Sequence, residues 1–292
     1  MSSKDAVLVA RPGIRGQPVD SSAFGVVEKP LTRFEKLYNI GALRKSLILL
    51  VLAIVWEVGA RTLSNELLFP TFSATTIAFL QGVASGELLI KVWASIKVLL
   101  SGYAIGIGLA ALLTAFGIGS RIGVDFLETL TSMFNPLPAI ALLPIALVWF
   151  ALGHGSLGFV LVHSVLWEVA LHTHSGFSAV SNTLRMVGRN YGLSGFGYVM
   201  KILIPAAFPS ILTGLKIGWA FAWRTLVASE LVFGVSSGAG GLGWYIYENK
   251  NQLEIPNVFA GLFTVIIIGL VVENLIFRTL ENRTVRKWGM QH

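Results

Sequence analysis

Six long apolar stretches, separated by short polar segments, dominate the chain from about residue 46 onward. A helix that crosses a bilayer needs about 20 mostly apolar residues. Lipid offers no partner for unpaired backbone groups, so these stretches are predicted to be helical. The predicted spans are Ser46–Leu63, Leu88–Gly117, Phe126–Leu152, Leu157–Leu171, Ile211–Val235 and Val258–Phe277. The fourth stretch is short and can extend into its flanks. The pattern predicts an all-α integral membrane protein with about six transmembrane helices.

Composition favours the same class of protein. Hydrophobic residues make up 54% of the chain and charged residues 13%, with a mean hydropathy of +0.72. Soluble domains carry about 25% charged residues, so this chain is too poor in charge to cover a water-facing surface. The sequence contains no cysteine, which excludes disulfides, zinc–thiolate sites and thiol nucleophiles.

The basic residues indicate the orientation of the spans. Sixteen of the 22 lysines and arginines fall in segments that are cytoplasmic if the N-terminus is inside, and four fall in outer segments. The other two, Lys216 and Arg224, belong to the fifth span. This asymmetry predicts that both termini are cytoplasmic. It also accounts for the net charge of +7 without a nucleic-acid ligand, because the basic residues stand at the ends of apolar runs.

Three regions are predicted along the chain. Residues 1–45 form a polar cytoplasmic tail with no apolar segment near Met1, so no cleavable signal peptide is expected. Residues 46–280 form the transmembrane domain, and residues 281–292 form a second cytoplasmic tail.

The largest internal segment on the cytoplasmic side is predicted at residues 172–210. Its first part places Val180, Leu184 and Val187 on one helical face, with Gly192 as the stop. A second helix follows, with Ser194 as a possible N-cap and Pro205 marking a break. On this pattern alone the segment is either a docking element or a linker.

The same segment resembles the cytoplasmic signature of permease subunits in bacterial ABC importers. That signature reads E-A-A, three residues, Gly, nine residues, Ile, one residue, Leu-Pro. Here Gly192 is followed by nine residues and then by Ile202–Pro205, with Ile in place of Leu. Met186–Gly188 occupy the E-A-A positions, so the family's acidic contact is missing.

Three further strings are similar to the nitrate/sulfonate/taurine/bicarbonate group of these permeases. They are NPLPAIALLPIALVWFALG at 135–153, LIPAAFPSILTGLKIG at 203–218 and ASELVFGVSSGAGGLGWYI at 228–246. The resemblance implies a type I ABC importer-like bundle, multi-pass in the bacterial inner membrane. It further implies a second copy of the chain, two cytoplasmic ATPase subunits that bind ATP and Mg, and a periplasmic solute-binding protein. This chain itself is then expected to bind no cofactor. The implied ATPase-coupling residues are Arg185, Met186, Gly188, Arg189, Asn190, Tyr191, Gly192, Ser194, Ile202 and Pro205.

Two motifs suggest other chemistry but lack the required context. Gly238–Gly243 fits G-x-G-x-x-G, yet it follows a membrane span rather than a strand, so a flexible outer connection is predicted. The sequence contains no G-x-x-x-x-G-K-[ST] string. His163 and His172 lie nine residues apart, on opposite sides of a helix, and cannot share a metal ion from one helix. No metal site is predicted.

Ionisable residues inside spans are costly and usually face protein or water. Glu57 and Glu273 lie near span ends, where interfacial or packing contacts are expected. Arg224 lies mid-span, and its planar donors suit an oxyanion. It either contacts a transported anion or forms an internal pair with Glu168 or Glu230. The candidate substrate pathway comprises Arg224, Glu230, Glu168, Trp223 and Asn135.

The leading prediction is therefore the permease subunit of an ATP-driven importer for a small anion such as nitrate, bicarbonate, taurine, a sulfonate or a similar organic acid. A self-contained secondary transporter or channel is the alternative, but such proteins usually show internal repeats, and no convincing duplication is visible. A membrane enzyme would need clustered catalytic groups, and none is apparent in the sequence.

Overall fold

The computed structural model describes residues 39–63, 65–233 and 240–287, and regular structure within these ranges is helical throughout. The elements in chain order are α1 (Gly41–Leu63), α2 (Phe72–Ala84), α3 (Glu87–Ile118), α4 (Arg121–Phe134), a 3₁₀ turn (Ala139–Leu142), α5 (Leu143–Phe150), α6 (His154–Ser178), α7 (Asn182–Asn190), α8 (Gly195–Tyr198), a π turn (Val199–Leu203), α9 (Ile204–Phe233), α10 (Leu242–Asn251), α11 (Ile255–Val271), a second π turn (Val272–Phe277) and α12 (Arg278–Arg283). Of the predicted tails, residues 1–38 and 288–292 lie outside the described residues.

The predicted number of spans is confirmed. Five helical stretches in the described ranges are long and apolar enough to cross a membrane, and a sixth is present if the bent segment from α4 to α5 counts as one span. The five stretches are Gly41–Leu63, Glu87–Ile118, His154–Ser178, Gly195–Val232 and Ile255–Arg283. The chain is thus an all-α membrane protein with five or six candidate spans.

The predicted third span is not one straight helix. α4 ends at Phe134, helical structure resumes at Ala139, and the two pieces meet at 87°. Pro136 and Pro138 explain the break, because each lacks a backbone N–H and disfavours helical geometry in the residue before it. An irregular backbone at this depth is tolerated only where it is buried in protein or lines a cavity.

Two other boundaries differ from the prediction. The fourth span, α6, has 25 residues and runs to Ser178, so it takes up the start of the predicted cytoplasmic segment. Pro205 does not mark a break, because the helical stretch from Gly195 continues through it to the end of α9. The π turn before Pro205 widens the helix, and Ile204 N–H bonds back to Val199 O. This local geometry accommodates a ring that would clash in a regular α-helix.

A short helix that the apolar pattern did not predict, α2, follows the first span. Thr71 caps it by accepting from Ala74 N–H. Glu57 accepts from Ser73 N–H at 3.0 Å and pairs with Arg61 at 2.6 Å. Glu57 therefore has the packing role expected of an acid near a span end.

Small residues bring α3, α6 and α9 close together. A Cβ added to Gly102 or Gly106 of α3 would lie 2.7 Å from Leu161 or Val165 of α6. Farther along α6, a Cβ at Gly214 of α9 would lie 2.7 Å from His172. Glycine at such contacts allows helix backbones in a membrane to approach closely. α6 is therefore packed closely against both α3 and α9, which also contact each other through Tyr103 and Trp219.

Candidate functional site

The cytoplasmic signature segment forms a short helix with defined ends. Ser181 caps α7 by accepting from Leu184 N–H at 3.4 Å. Gly192 ends it in the left-handed region at φ +72°, where Leu193 N–H bonds to Gly188 O at 3.1 Å. Glycine is favoured at this position because it adopts positive φ without a Cβ penalty. The stop predicted at Gly192 is confirmed. Val180, in contrast, precedes the helix and is buried, so the predicted apolar face is wrong at that residue.

Arg185 connects α7 to the end of α6. Its Nε donates to Val180 O at 3.0 Å and its Nη2 to Phe177 O at 2.5 Å. Phe177 lies in the last turn of α6 and its O also accepts from Val180 N–H at 3.3 Å, whereas Val180 lies in the connection between α6 and α7. The predicted coupling residue Arg185 thus turns inward and holds the segment in place.

Gly188 allows α7 to approach the following helix. A Cβ there would lie 3.0 Å from Tyr198 and 3.0 Å from Ile202. Ile202 and Pro205 line a neighbouring cavity of about 440 Å³. The outward face of the segment carries the remaining predicted coupling residues, namely Met186, Arg189, Asn190, Tyr191, Gly192 and Ser194, which are exposed. Tyr191 is 82% exposed and Phe196 80%, an apolar surface in a region expected to lie outside the bilayer.

A cavity of about 380 Å³ lies where the break after α4 faces α6 and α9. Its lining comprises Asn135, Pro136, Leu137, Pro138, Ala139 and Ile140 from the break, His163, Ser164, Trp167 and Glu168 from α6, and Phe221 and Thr225 from α9. A second cavity of about 320 Å³ shares Asn135 and Pro136 with it and extends along α6 to His174. The broken span therefore lines an open cavity, in which Pro136, Leu137 and Pro138 are exposed, and lining a cavity is one setting in which irregular backbone is tolerated.

The cavity of about 380 Å³ is lined by side chains with buried hydrogen-bond donors. Trp167 is 8% exposed, and its Nε1 has no hydrogen-bond partner among the described residues. Both ring nitrogens of His163 are likewise buried and unpartnered in the described part of the chain. Phe134 stacks on the Trp167 indole at 5.1 Å between centroids and fixes its plane. Neither residue was among the pathway candidates predicted from the sequence, where His163 was considered only as a metal ligand.

Similarity to known proteins identifies the family to which this chain belongs. The family model described as "binding-protein-dependent transport system inner membrane component" matches residues 102–287. The chain belongs to this permease family.

Similar permeases include a nitrate import protein and a taurine transport protein. A nitrate import permease protein of Synechocystis sp. (strain ATCC 27184 / PCC 6803 / Kazusa) is 30% identical over 82% of this chain and 88% of its own length. A taurine transport system permease protein of Escherichia coli (strain K12) is 28% identical over 87% of this chain and 90% of its own length. The predicted resemblance is confirmed, and the chain is the inner-membrane permease component rather than the ATPase.

Arg224 of the permease makes none of the internal pairs that the sequence left open. Its Nε donates to Ala220 O of its own helix at 3.0 Å, and its guanidinium lies 4.8 Å from the centroid of the Phe221 ring. Glu168 instead lies 3.8 Å from His172. Arg224 is exposed on the permease surface, next to a residue that lines the cavity.

Glu230 of the permease is buried near the start of α10 and does not line the cavity at the break after α4. Ser95 Oγ donates to its carboxylate at 2.9 Å, and Gly243 N–H donates to it at 2.8 Å. Leu242 N–H in turn donates to Ser95 Oγ at 2.8 Å. Ser95 Oγ and the Glu230 carboxylate therefore satisfy the first two backbone donors of α10, and the position of the carboxylate also suits the helix dipole.

The remaining pathway candidates separate into two groups. Trp223 packs in the core, with Nε1 bonded to Val265 O at 3.3 Å, so the structure does not bring it to the cavity. Asn135 and Glu168 do line the cavity.

In the predicted G-x-G-x-x-G motif, Gly240 and Gly243 lie at the start of α10, whereas Gly238 lies outside the described residues.

Proposed function

We propose that this permease forms the translocation path for a small anion delivered by a periplasmic binding protein. Candidate substrates are nitrate, bicarbonate, taurine, a sulfonate or a similar organic acid. The names of similar permeases support this class, since they include a nitrate import protein and a taurine transport protein. ATP and Mg are bound by separate ATPase subunits, which drive the cycle.

The observation that carries the anion proposal is the environment of Arg224. The residue lies inside a membrane-spanning helix, is exposed, and has no carboxylate partner among the described residues. A charge in a span is costly unless it faces protein or water. Arginine stays charged and offers a fork of donors that matches carboxylate and oxyanion geometry. A water-accessible anion path along this side of α9 satisfies both requirements.

We further propose that a second copy of the chain completes the path. Exposed polar groups in the spans must be covered, and five or six spans in one chain supply one half of a two-fold bundle. A native mass measurement of the detergent-purified transporter is expected to show two permeases with two ATPase subunits. One permease per two ATPases would overturn this part of the proposal.

The outward face of α7 is the proposed ATPase-docking surface. It carries exposed apolar groups such as Met186 and Tyr191 beside exposed polar ones, at the position of the family signature. Exposed apolar patches outside the bilayer typically mark protein contacts. Arg185 and Gly188 act behind this surface, by fixing α7 to α6 and to the next helix.

The test is ATP-driven uptake of nitrate, taurine and hexanesulfonate into proteoliposomes that contain the permease, its ATPase and its binding protein. Arg224→Gln is expected to assemble normally and to lower uptake about tenfold, the effect of losing one hydrogen bond to a charged group. Arg121→Gln, at the exposed start of α4, is the matched charge control and is expected to transport normally. Uptake of none of these anions by the wild-type transporter, or full uptake by Arg224→Gln, would refute the proposal.

A further inference from the structure

The unpartnered donors of Trp167 and His163 call for a hydrogen-bond acceptor. A buried N–H without a partner costs about 1–3 kcal/mol, and folded proteins leave few such groups. Here two side chains one helical turn apart carry them, and both line the same cavity. Ser164, which lies between them in the sequence, differs because its Oγ already donates to Leu161 O at 2.9 Å.

The cavity also offers surface for an apolar group. Phe221 and the two prolines of the break line it together with the Trp167 indole. Its volume of about 380 Å³ falls within the range of organic-ligand sites, about 300–1,000 Å³. A four-atom inorganic anion would occupy only a small part of this space, since one water molecule takes about 30 Å³.

Glu168 restricts the charge of the ligand. Its carboxylate lines the same cavity, about 100° around α6 from Trp167. A second negative charge on the ligand would be repelled there, whereas an apolar tail would be accepted. The ligand that fits is therefore a monoanion with its charge at one end.

We propose that this cavity holds the transported anion during translocation, with Trp167 Nε1 and His163 donating to its oxyanion head. The substrate class is an organic monoanion, a carboxylate or sulfonate with a short tail, rather than a bare inorganic ion. This inference rests on the proposed function and assigns the residues that contact the substrate inside the permease.

The neighbouring cavity supports a transit role. It continues from the shared Asn135 and Pro136 to Leu171 and His174, which follow Trp167 on α6 at intervals of four and three residues. These intervals keep them on one helical face. His174 lies 3.2 Å from Glu128 at the far end. An anion released by Trp167 thus has adjoining space along α6 toward the signature segment.

Trp167→Phe removes the donor and keeps an aromatic ring, and Trp219→Phe is its matched control. Trp219 Nε1 is also buried and unpartnered among the described residues, but the ring packs edge-on against Tyr103 outside the cavity. Both changes delete an unsatisfied donor, so both variants are expected to keep the thermal stability of the wild type. His163→Phe is the second cavity variant.

The assay is uptake of hexanesulfonate, taurine and nitrate per ATP hydrolysed by the complete reconstituted transporter. Trp167→Phe and His163→Phe are each expected to lower sulfonate uptake about tenfold, with Trp219→Phe unchanged. Equal uptake by the cavity variants and Trp219→Phe would overturn the cavity assignment but leave anion import standing. Import of nitrate alone would overturn the organic class. Import of none of the three would overturn the proposed function and this inference with it. If Trp167→Phe unfolds, His163→Phe decides in the same way.

Discussion

Replacement of Gly241 by alanine should disrupt the buried contact that fixes the start of α10. The added Cβ would lie 2.0 Å from Glu230 Oε1 and 2.3 Å from Ser95 Oγ. The backbone of Gly241, with φ −94° and ψ −161°, is open to alanine. The change therefore tests packing alone, without backbone strain.

The expected loss of stability follows from the packing and the hydrogen bonds of the Glu230 carboxylate. Overpacking of a tight site costs about 1–3 kcal/mol, and a hydrogen bond to a charged group contributes about 1.5–3 kcal/mol. Glu230 accepts from both Ser95 and Gly243. A shift of its carboxylate that breaks one of these bonds leaves the former donor buried and unpaired. We expect Gly241→Ala to lower the free energy of unfolding by about 2.5–6 kcal/mol.

The assay is denaturant unfolding of the detergent-purified permease, followed by tryptophan fluorescence. Gly108→Ala is the matched control, since a Cβ there meets nothing within 4 Å and α3 continues through it. Alanine is favoured over glycine in a helix interior by about 1 kcal/mol, so the control should be neutral or stabilised. Equal stability of Gly241→Ala and Gly108→Ala would refute the close packing of Glu230 against α10.

Two further predictions concern the signature segment. Gly192→Val places a β-branched residue at φ +72°. The transporter with this change should still assemble and hydrolyse ATP but import its substrate poorly. Normal uptake by an intact complex would contradict the docking role of the segment. Arg185→Gln removes the two bonds to the end of α6 and should lower both stability, by about 1–3 kcal/mol, and the number of anions imported per ATP. Arg189→Gln, an exposed change on the same helix, is the control for thermal unfolding, and equal melting of the two variants would count against the Arg185 tether.

The spans could be predicted because a helix that crosses lipid must be mostly apolar along its length, so hydrophobicity alone nearly locates it. The prediction of Leu88–Gly117 differs from α3 by one residue at each end. The break after α4 was missed because an apolar average runs through prolines, although Pro136 and Pro138 carried the signal. α2 and α10 were missed because helices of 13 and 10 residues are too short to be recognised as spans.

The site was less predictable, because most of it depends on contacts distant in sequence. Gly192 could be predicted, since helix ends carry a local glycine signal. The inward role of Arg185 could not, because its acceptors are backbone oxygens that any residue supplies. The pairing of Glu230 with Ser95 joins positions 135 residues apart. The two donors of the cavity became visible only once the fold showed which polar atoms lack partners.

The contact between Arg185 and the end of α6 has an evolutionary consequence. The guanidinium binds the carbonyl oxygens of Phe177 and Val180, not their side chains. Substitution of either residue by another apolar one leaves these acceptors in place, whereas even lysine at position 185 loses the planar fork. In descendants of this chain, arginine should therefore persist at position 185 while the residues it contacts diverge.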